Sequence, residues 1–92
     1  MEGISTLNAY ITTATTTQVW TGRAKKVHIS VNAALTGTIT VIDGTTGTTA
    51  NVAVITNPTV GLQFEYWGLQ TGVRIVTSAL CDICVSCDLS NG

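Results

Sequence analysis

The stretch LCDICVSCDL, Leu80 to Leu89, holds all three cysteines of the chain at a spacing of three, and its reading decides the fold. A metal knuckle here requires a turn, because zinc gathers thiolates about 2.3 Å from one ion. No Gly or Pro lies between the cysteines to make one. Read with a period of two, Cys81, Ile83, Val85, Cys87 and Leu89 fall on one face, and Asp82, Cys84, Ser86 and Asp88 on the other. The first face is wholly apolar and the second is polar apart from one thiol. In a strand, Cys81 and Cys87 stand about 20 Å apart, with Cys84 about 10 Å from each on the opposite side. A disulfide needs Cα atoms within about 7 Å, so pairing inside the strand is excluded. The segment is therefore expected to be a closing strand, with Cys81 and Cys87 as small buried hydrophobes and Cys84 as a free outer thiol.

Working back toward the N-terminus, the same period recurs. Val73 and Ile75 alternate with Arg74, and Leu62, Phe64 and Tyr66 alternate with Gln63 and Glu65, which places Tyr66 in the core. Val52 and Val54 open a strand closed by Thr56-Asn57-Pro58, where Pro58 cannot donate to a ladder. Ile39 and Val41 alternate with threonines until Asp43-Gly44, a turn dipeptide. Val27, Ile29 and Val31 alternate with His28, Ser30 and Asn32, and a first strand is expected over Gln18 to Thr21. No segment keeps a 3.6-residue period. The prediction is an all-β chain, a single small antiparallel β-sandwich or jelly roll of about seven to eight strands. The domain is expected over residues 17–92, preceded by an extended N-terminal arm over residues 1–16 that orders on contact with a neighbour.

Composition agrees with one folded domain. Of 92 residues, 45% are hydrophobic and 10% charged, with a net charge of -1, so a disordered chain is not expected. Few charges leave little repulsion between copies, and a surface of this kind is expected to be covered in an assembly. Threonine, roughly a fifth of the chain, suits the outer face of pleated sheets. No apolar run reaches the ~18 residues of a membrane span, and MEGIST has none of the features of a signal peptide. An odd number of cysteines also fits a disulfide framework poorly, so the expected site of synthesis is a cytoplasm.

Chemistry has few candidates. His28 is the single histidine and lies on the polar side of its strand, with no G-x-S-x-G motif anywhere. The five acidic residues are scattered, and the glycines form neither G-x-G-x-x-G nor G-x-x-x-x-G-K. No enzyme, metal or cofactor is expected. Arg23, Lys25 and Lys26 form one basic cluster, expected at a turn and suited to an acidic partner surface. Without a longer basic stripe, nucleic acid is not an expected partner. Trp20 and Trp67 lie in positions where exposure would make them interface anchors. Together with Tyr10 in the arm, the candidate interface residues are Tyr10, Trp20, Arg23, Lys25, Lys26 and Trp67.

TTTQVWTG (Thr15 to Gly22), VHISVN (Val27 to Asn32), GTITVIDGTTG (Gly37 to Gly47), VAVI (Val52 to Ile55) and GLQTGVRIVTSA (Gly68 to Ala79) occur in that order. Over roughly residues 12 to 88 this resembles a group of small phage virion proteins: structural, head decoration (cement) and head-fibre domains. The resemblance implies a capsid decoration protein on the outer surface of the virion, made in the host cytoplasm. It further implies a homo-oligomer, a trimer first, seated on the major capsid protein and bridging capsomers, with neither membrane nor nucleic acid as partner. Binding only the assembled lattice, such a protein stabilises it by mass action. A receptor-binding or fibre module, or another structural subunit of the virion, is the alternative. The cysteine-rich last strand and the basic Gly-Arg-Ala-Lys-Lys turn depart from the group.

Overall fold

Eight strands form among the described residues, 6–49 and 51–89 of the computed structural model, and no helix. They are β1 (Thr6–Ile11), β2 (Thr15–Trp20), β3 (Ala24–Ala33), β4 (Thr38–Ile42), β5 (Ala53–Thr56), β6 (Gln63–Leu69), β7 (Val73–Thr77) and β8 (Asp82–Leu89). One sheet has the order β1-β8-β3-β6 and the other β2-β7-β4-β5, with every ladder antiparallel. This is the strand order of an eight-stranded jelly roll. Its logic is one long hairpin, rolled up. Thr6 faces Asp88, Thr17 faces Ile75, Ile29 faces Phe64 and Thr38 faces Thr56, and each pair is centred on residues 46–47. The chain thus doubles back at the loop between β4 and β5.

The core lies between the sheets and follows the period-two pattern. Val27, Ile29, Ile39, Val41, Val73, Ile75, Ile83, Val85 and Cys87 have no solvent exposure. Each buried Val or Ile side chain contributes about 1.5–3 kcal/mol. All three thiols are free; Cys87 is buried and Cys84 exposed, as the alternation reads, whereas Cys81, expected to be buried in the strand, is half-buried just ahead of β8. Buried Thr77 donates to the Thr13 carbonyl at 2.6 Å and accepts from the Thr15 N–H at 3.1 Å, tying β7 to the β1–β2 connection.

Several expectations are corrected. Residues 6–11, placed in the arm, form β1 and pair along β8, with Ile11 buried and Leu7 and Ala9 packed on the core. Of the rest of the expected arm, residues 12–14 connect β1 to β2, Thr15 and Thr16 open β2, and residues 1–5 lie outside the described residues. The domain therefore begins before residue 17, and the first strand after the corner runs over Thr15–Trp20 rather than Gln18 to Thr21. In β5 the phase is the opposite of that expected. Ile55 faces inward and Val54 stands outside, 53% exposed, because the strand opens at Ala53 opposite Val41. Tyr66 is half-buried rather than fully internal, since β6 is an edge strand. Lys25 and Lys26 belong to β3, leaving only Arg23 in the turn.

One large aliphatic side chain is buried outside the core. Ile42 occupies the outer register of its sheet yet is 1% exposed. Residues 43–47 fold back over it: Arg74, paired with Ile42, donates Nε–H to the Gly47 carbonyl at 2.8 Å and Nη1–H to the Thr45 carbonyl at 3.2 Å. Arg74 also donates to Gln18 Oε1 at 2.8 Å. Asp43 accepts from the backbone N–H groups of Gln70, Thr71 and Gly72, at 2.7 to 3.3 Å, joining this loop to the β6–β7 turn. Gly72 is required by close approach, since a Cβ there would lie 2.8 Å from the Gly44 carbonyl oxygen and 3.0 Å from that of Trp20.

Candidate functional site

The basic cluster and both tryptophans meet at one corner, where β2 turns into β3. Gly22 has φ +151°, a region that favours glycine, and a Cβ there would lie 3.0 Å from the Trp20 Nε1. Its absence lets the half-buried indole fold over the turn and donate Nε1–H to the Arg23 carbonyl at 3.1 Å. Trp20 is thereby committed to holding the turn. Its phase is set by a bulge, since Gln18 faces Arg74 and Trp20 faces Val73 with Val19 between them.

A second bulge opens β3. On the β8 side Ala24 faces Leu89 and Lys26 faces Asp88, so Lys25 has no opposite residue. Continued alternation from Val27 would have sent Lys25 into the core. The bulge instead buries Ala24, 1% exposed, and turns Lys25 to solvent. Lys26 stands on the outer face directly across from Trp67 on β6, its Nζ 5.3 Å from the ring centroid and 3.8 Å from Glu65 Oε2. An exposed ion pair of this kind contributes about 0–1 kcal/mol, so its role is to orient the lysine over the indole.

Trp67 is 62% exposed. Beside it an open recess of about 320 Å³ is lined by Arg23, Lys25, Trp67, Gly68, Leu69 and Gln70. Gly68, which follows the indole, has φ +73°, and a Cβ there would meet nothing; Leu69 after it is buried and faces Ala24. The chain has four Lys and Arg residues in all, and three are here; the fourth, Arg74, is spent on loop carbonyls. The corner therefore offers a planar apolar side chain rimmed by cations.

Tyr10 is not part of it. It lies on β1, at the other edge of the same sheet, three strand spacings or roughly 14 Å across. There it is 65% exposed, faces Cys84, and has its hydroxyl pKa raised, first by a hydrogen bond to Asp82. Asn32 donates to Asp82 Oδ1 at 3.1 Å and to Cys84 Sγ at 3.4 Å, which fixes the surroundings of the outer thiol. The same face carries a shallow depression of about 450 Å³ bordered by Lys26, His28, Glu65 and Asp88. His28 Nε2 lies 2.9 Å from Gln63 Oε1, while its register neighbour Ser86 donates to Asn8 Oδ1 at 2.8 Å. The histidine and the serine thus address other partners. Among the described residues no three His, Cys, Asp or Glu side chains converge as metal ligands do.

Sequence reasoning named five of the residues that the corner brings together. It missed Gly68, Leu69 and Gln70, which are apolar or neutral and carry no signal apart from the fold. The sequence signals only a turn at Asp43-Gly44, because the three donors of the Asp43 clamp lie 27 to 29 residues away. No protein-family model, no curated protein and no solved structure matches this chain.

Proposed function

We propose that the chain is a structural protein of a phage virion, a capsid decoration (cement) protein. In this reading it is not an enzyme, binds the major capsid protein on the outer surface of the assembled capsid, and stabilises the lattice by bridging capsomers. The observation that carries the proposal is Trp67: an indole 62% exposed on an edge strand, with Lys26 across it and Arg23 and Lys25 beside an open recess. Exposed Trp and Arg are the residue types that dominate protein interfaces. The jelly-roll order adds support at the level of fold analogy, since virion proteins use this architecture often.

The test is to mix purified protein with undecorated capsids and measure co-sedimentation and resistance to heat. Wild-type protein is expected to pellet with capsids and raise their disruption temperature. Trp67→Ala is expected to weaken binding about 30-fold, the effect of losing one interface anchor. Its own unfolding midpoint should not move, because the side chain is largely outside. A second reading, a receptor-binding or fibre module, is favoured by the openness of the recess beside an indole, where a planar or ring-shaped ligand could stack. Binding to host envelopes with none to capsids selects that reading and overturns the first.

A further inference from the structure

We infer that the free edge of β6 pairs with β6 of a second copy, so that two sandwiches share one continuous sheet. β6 ends its sheet, and no described strand runs along its other side. The Val31 N–H donates to the Leu62 carbonyl at 3.0 Å, and the same register continues through Ile29–Phe64 and Val27–Tyr66. Phe64 and Tyr66 therefore turn their backbone groups toward β3. Gln63, Glu65 and Trp67 turn theirs outward, with no partner among the described residues. Such an edge is a template for a further strand. Of the four edge strands β6 is the longest, with seven residues, and QFEYWGL holds neither Pro nor Lys to blunt it.

Charge complementarity selects the occupant and the register. A strand meets its own copy antiparallel about a two-fold axis, and each side chain must keep its face of the sheet. An axis at Glu65 sets two carboxylates directly opposite each other, which is destabilising. An axis at Phe64 puts Trp67 opposite Gly61, outside the strand. An axis at Tyr66, the middle residue of β6, pairs the full strand and sets each Glu65 opposite Trp67 of the second copy. That indole already carries a cation: Lys26 is its register partner, with Nζ 5.3 Å from the ring centroid. Each carboxylate thus gains a second ammonium, beside the Lys26 of its own chain at 3.8 Å. The row across the joined sheet reads Lys26 and Trp67, then Glu65 and His28 of the second copy, and no like charges are opposed.

The inner face agrees with this axis. Phe64 and Tyr66 are half-buried and pack on the core at the margin of the sheet. Pairing sets Tyr66 against its own copy and Phe64 opposite Gly68. A Cβ at Gly68 would meet nothing, so the ring has room, as an aromatic side chain across from an edge glycine requires. Four of the six large apolar side chains exposed among the described residues, Val54, Val60, Leu62 and Trp67, lie in β5, β6 or the connection between them. The pairing therefore adjoins the side of the molecule with most of its exposed apolar groups. Trp67 stays on the outer face of the widened sheet.

Sedimentation equilibrium of the purified chain tests this without reference to capsids. Wild type is expected to dimerise with a dissociation constant of about 10 μM, weakened by added salt. Glu65→Gln removes the charge that faces Trp67 and Lys26 of the second copy and should raise that constant about fivefold. About an axis at Glu65 the same change would relieve repulsion and tighten the dimer. Glu65→Pro deletes an N–H that points away from β3, and is expected to raise the constant about 30-fold. A thermal melt matching wild type verifies that the proline variant folds; if it does not, the glutamine variant decides alone. A wild type still monomeric at about 0.5 mM, a folded proline variant that dimerises like wild type, or a glutamine variant that dimerises as tightly or more tightly overturns the inference. Capsid co-sedimentation reports separately: a monomer that binds capsids overturns this pairing and leaves the decoration reading standing.

Discussion

Asp43 holds three backbone N–H groups of the β6–β7 turn. Its carboxylate feels two opposed effects: partial burial raises its pKa, while the N–H groups of Gln70, Thr71 and Gly72 lower it, and the donors prevail. A lowered pKa in the folded state means stability that is present above the ordinary carboxyl value of 3.8 and is lost as pH falls through the lower folded one. Asp43→Asn, which keeps the shape but not the charge, is expected to destabilise by about 1–2 kcal/mol near neutrality. The gap between the two proteins should stay constant down to about pH 5 and close below about pH 4. Urea midpoints measured across that range check it; a gap of unchanged size at about pH 2 would sink this account. The same residue shows where sequence reading stops. Asp43-Gly44 signals a turn from its own chemistry, but its donors are placed by a hairpin that closes far away in the chain.

Among the elements, β8 was the most legible and β1 the least. In β8 the alternation of Ile83, Val85 and Cys87 with Cys84 and Ser86 is uninterrupted, so side-chain chemistry alone assigns the faces. In β1 the inward positions are Leu7, Ala9 and Ile11; alanine weakens the pattern, and burial comes only from pairing with β8. Bulges explain other misses. Val19 and Lys25 each insert a residue that shifts the phase, which a strict period-two reading cannot anticipate. The faces of β8 predict thiol reactivity. Burial pushes the Cys87 thiol up to about 11 and also raises that of Cys81, whereas Cys84 lies open. At about pH 8 one equivalent of a thiol reagent should react fast with native protein, and the other two only slowly or after unfolding. Cys84→Ser should abolish the fast phase. Three equally fast thiols would contradict the strand assignment.

At the scale of the whole molecule, Arg23, Lys25, Lys26 and both tryptophans gather at one corner of the sandwich. Its class was legible because alternation recurs along the chain, but the pairing was not, since the sequence carries no mark of which strand meets which. The rolled hairpin has a consequence for how the protein comes into being. β8 is the last of the eight described strands to be synthesised, yet it lies between β1 and β3 in its sheet. Until it emerges, β1 has no ladder partner, and Val27, Ile29 and Val31 face an unfilled interior. A chain ending at residue 81 is therefore expected to lack cooperative unfolding, which calorimetry would show as a missing transition. Strand pairs near the central loop can form during synthesis, whereas pairs far from it must wait, because their partners are separated by most of the chain. Closure of this sheet waits for the synthesis of β8, and every nascent copy passes through an interval in which its apolar strands are open to its neighbours on the same message.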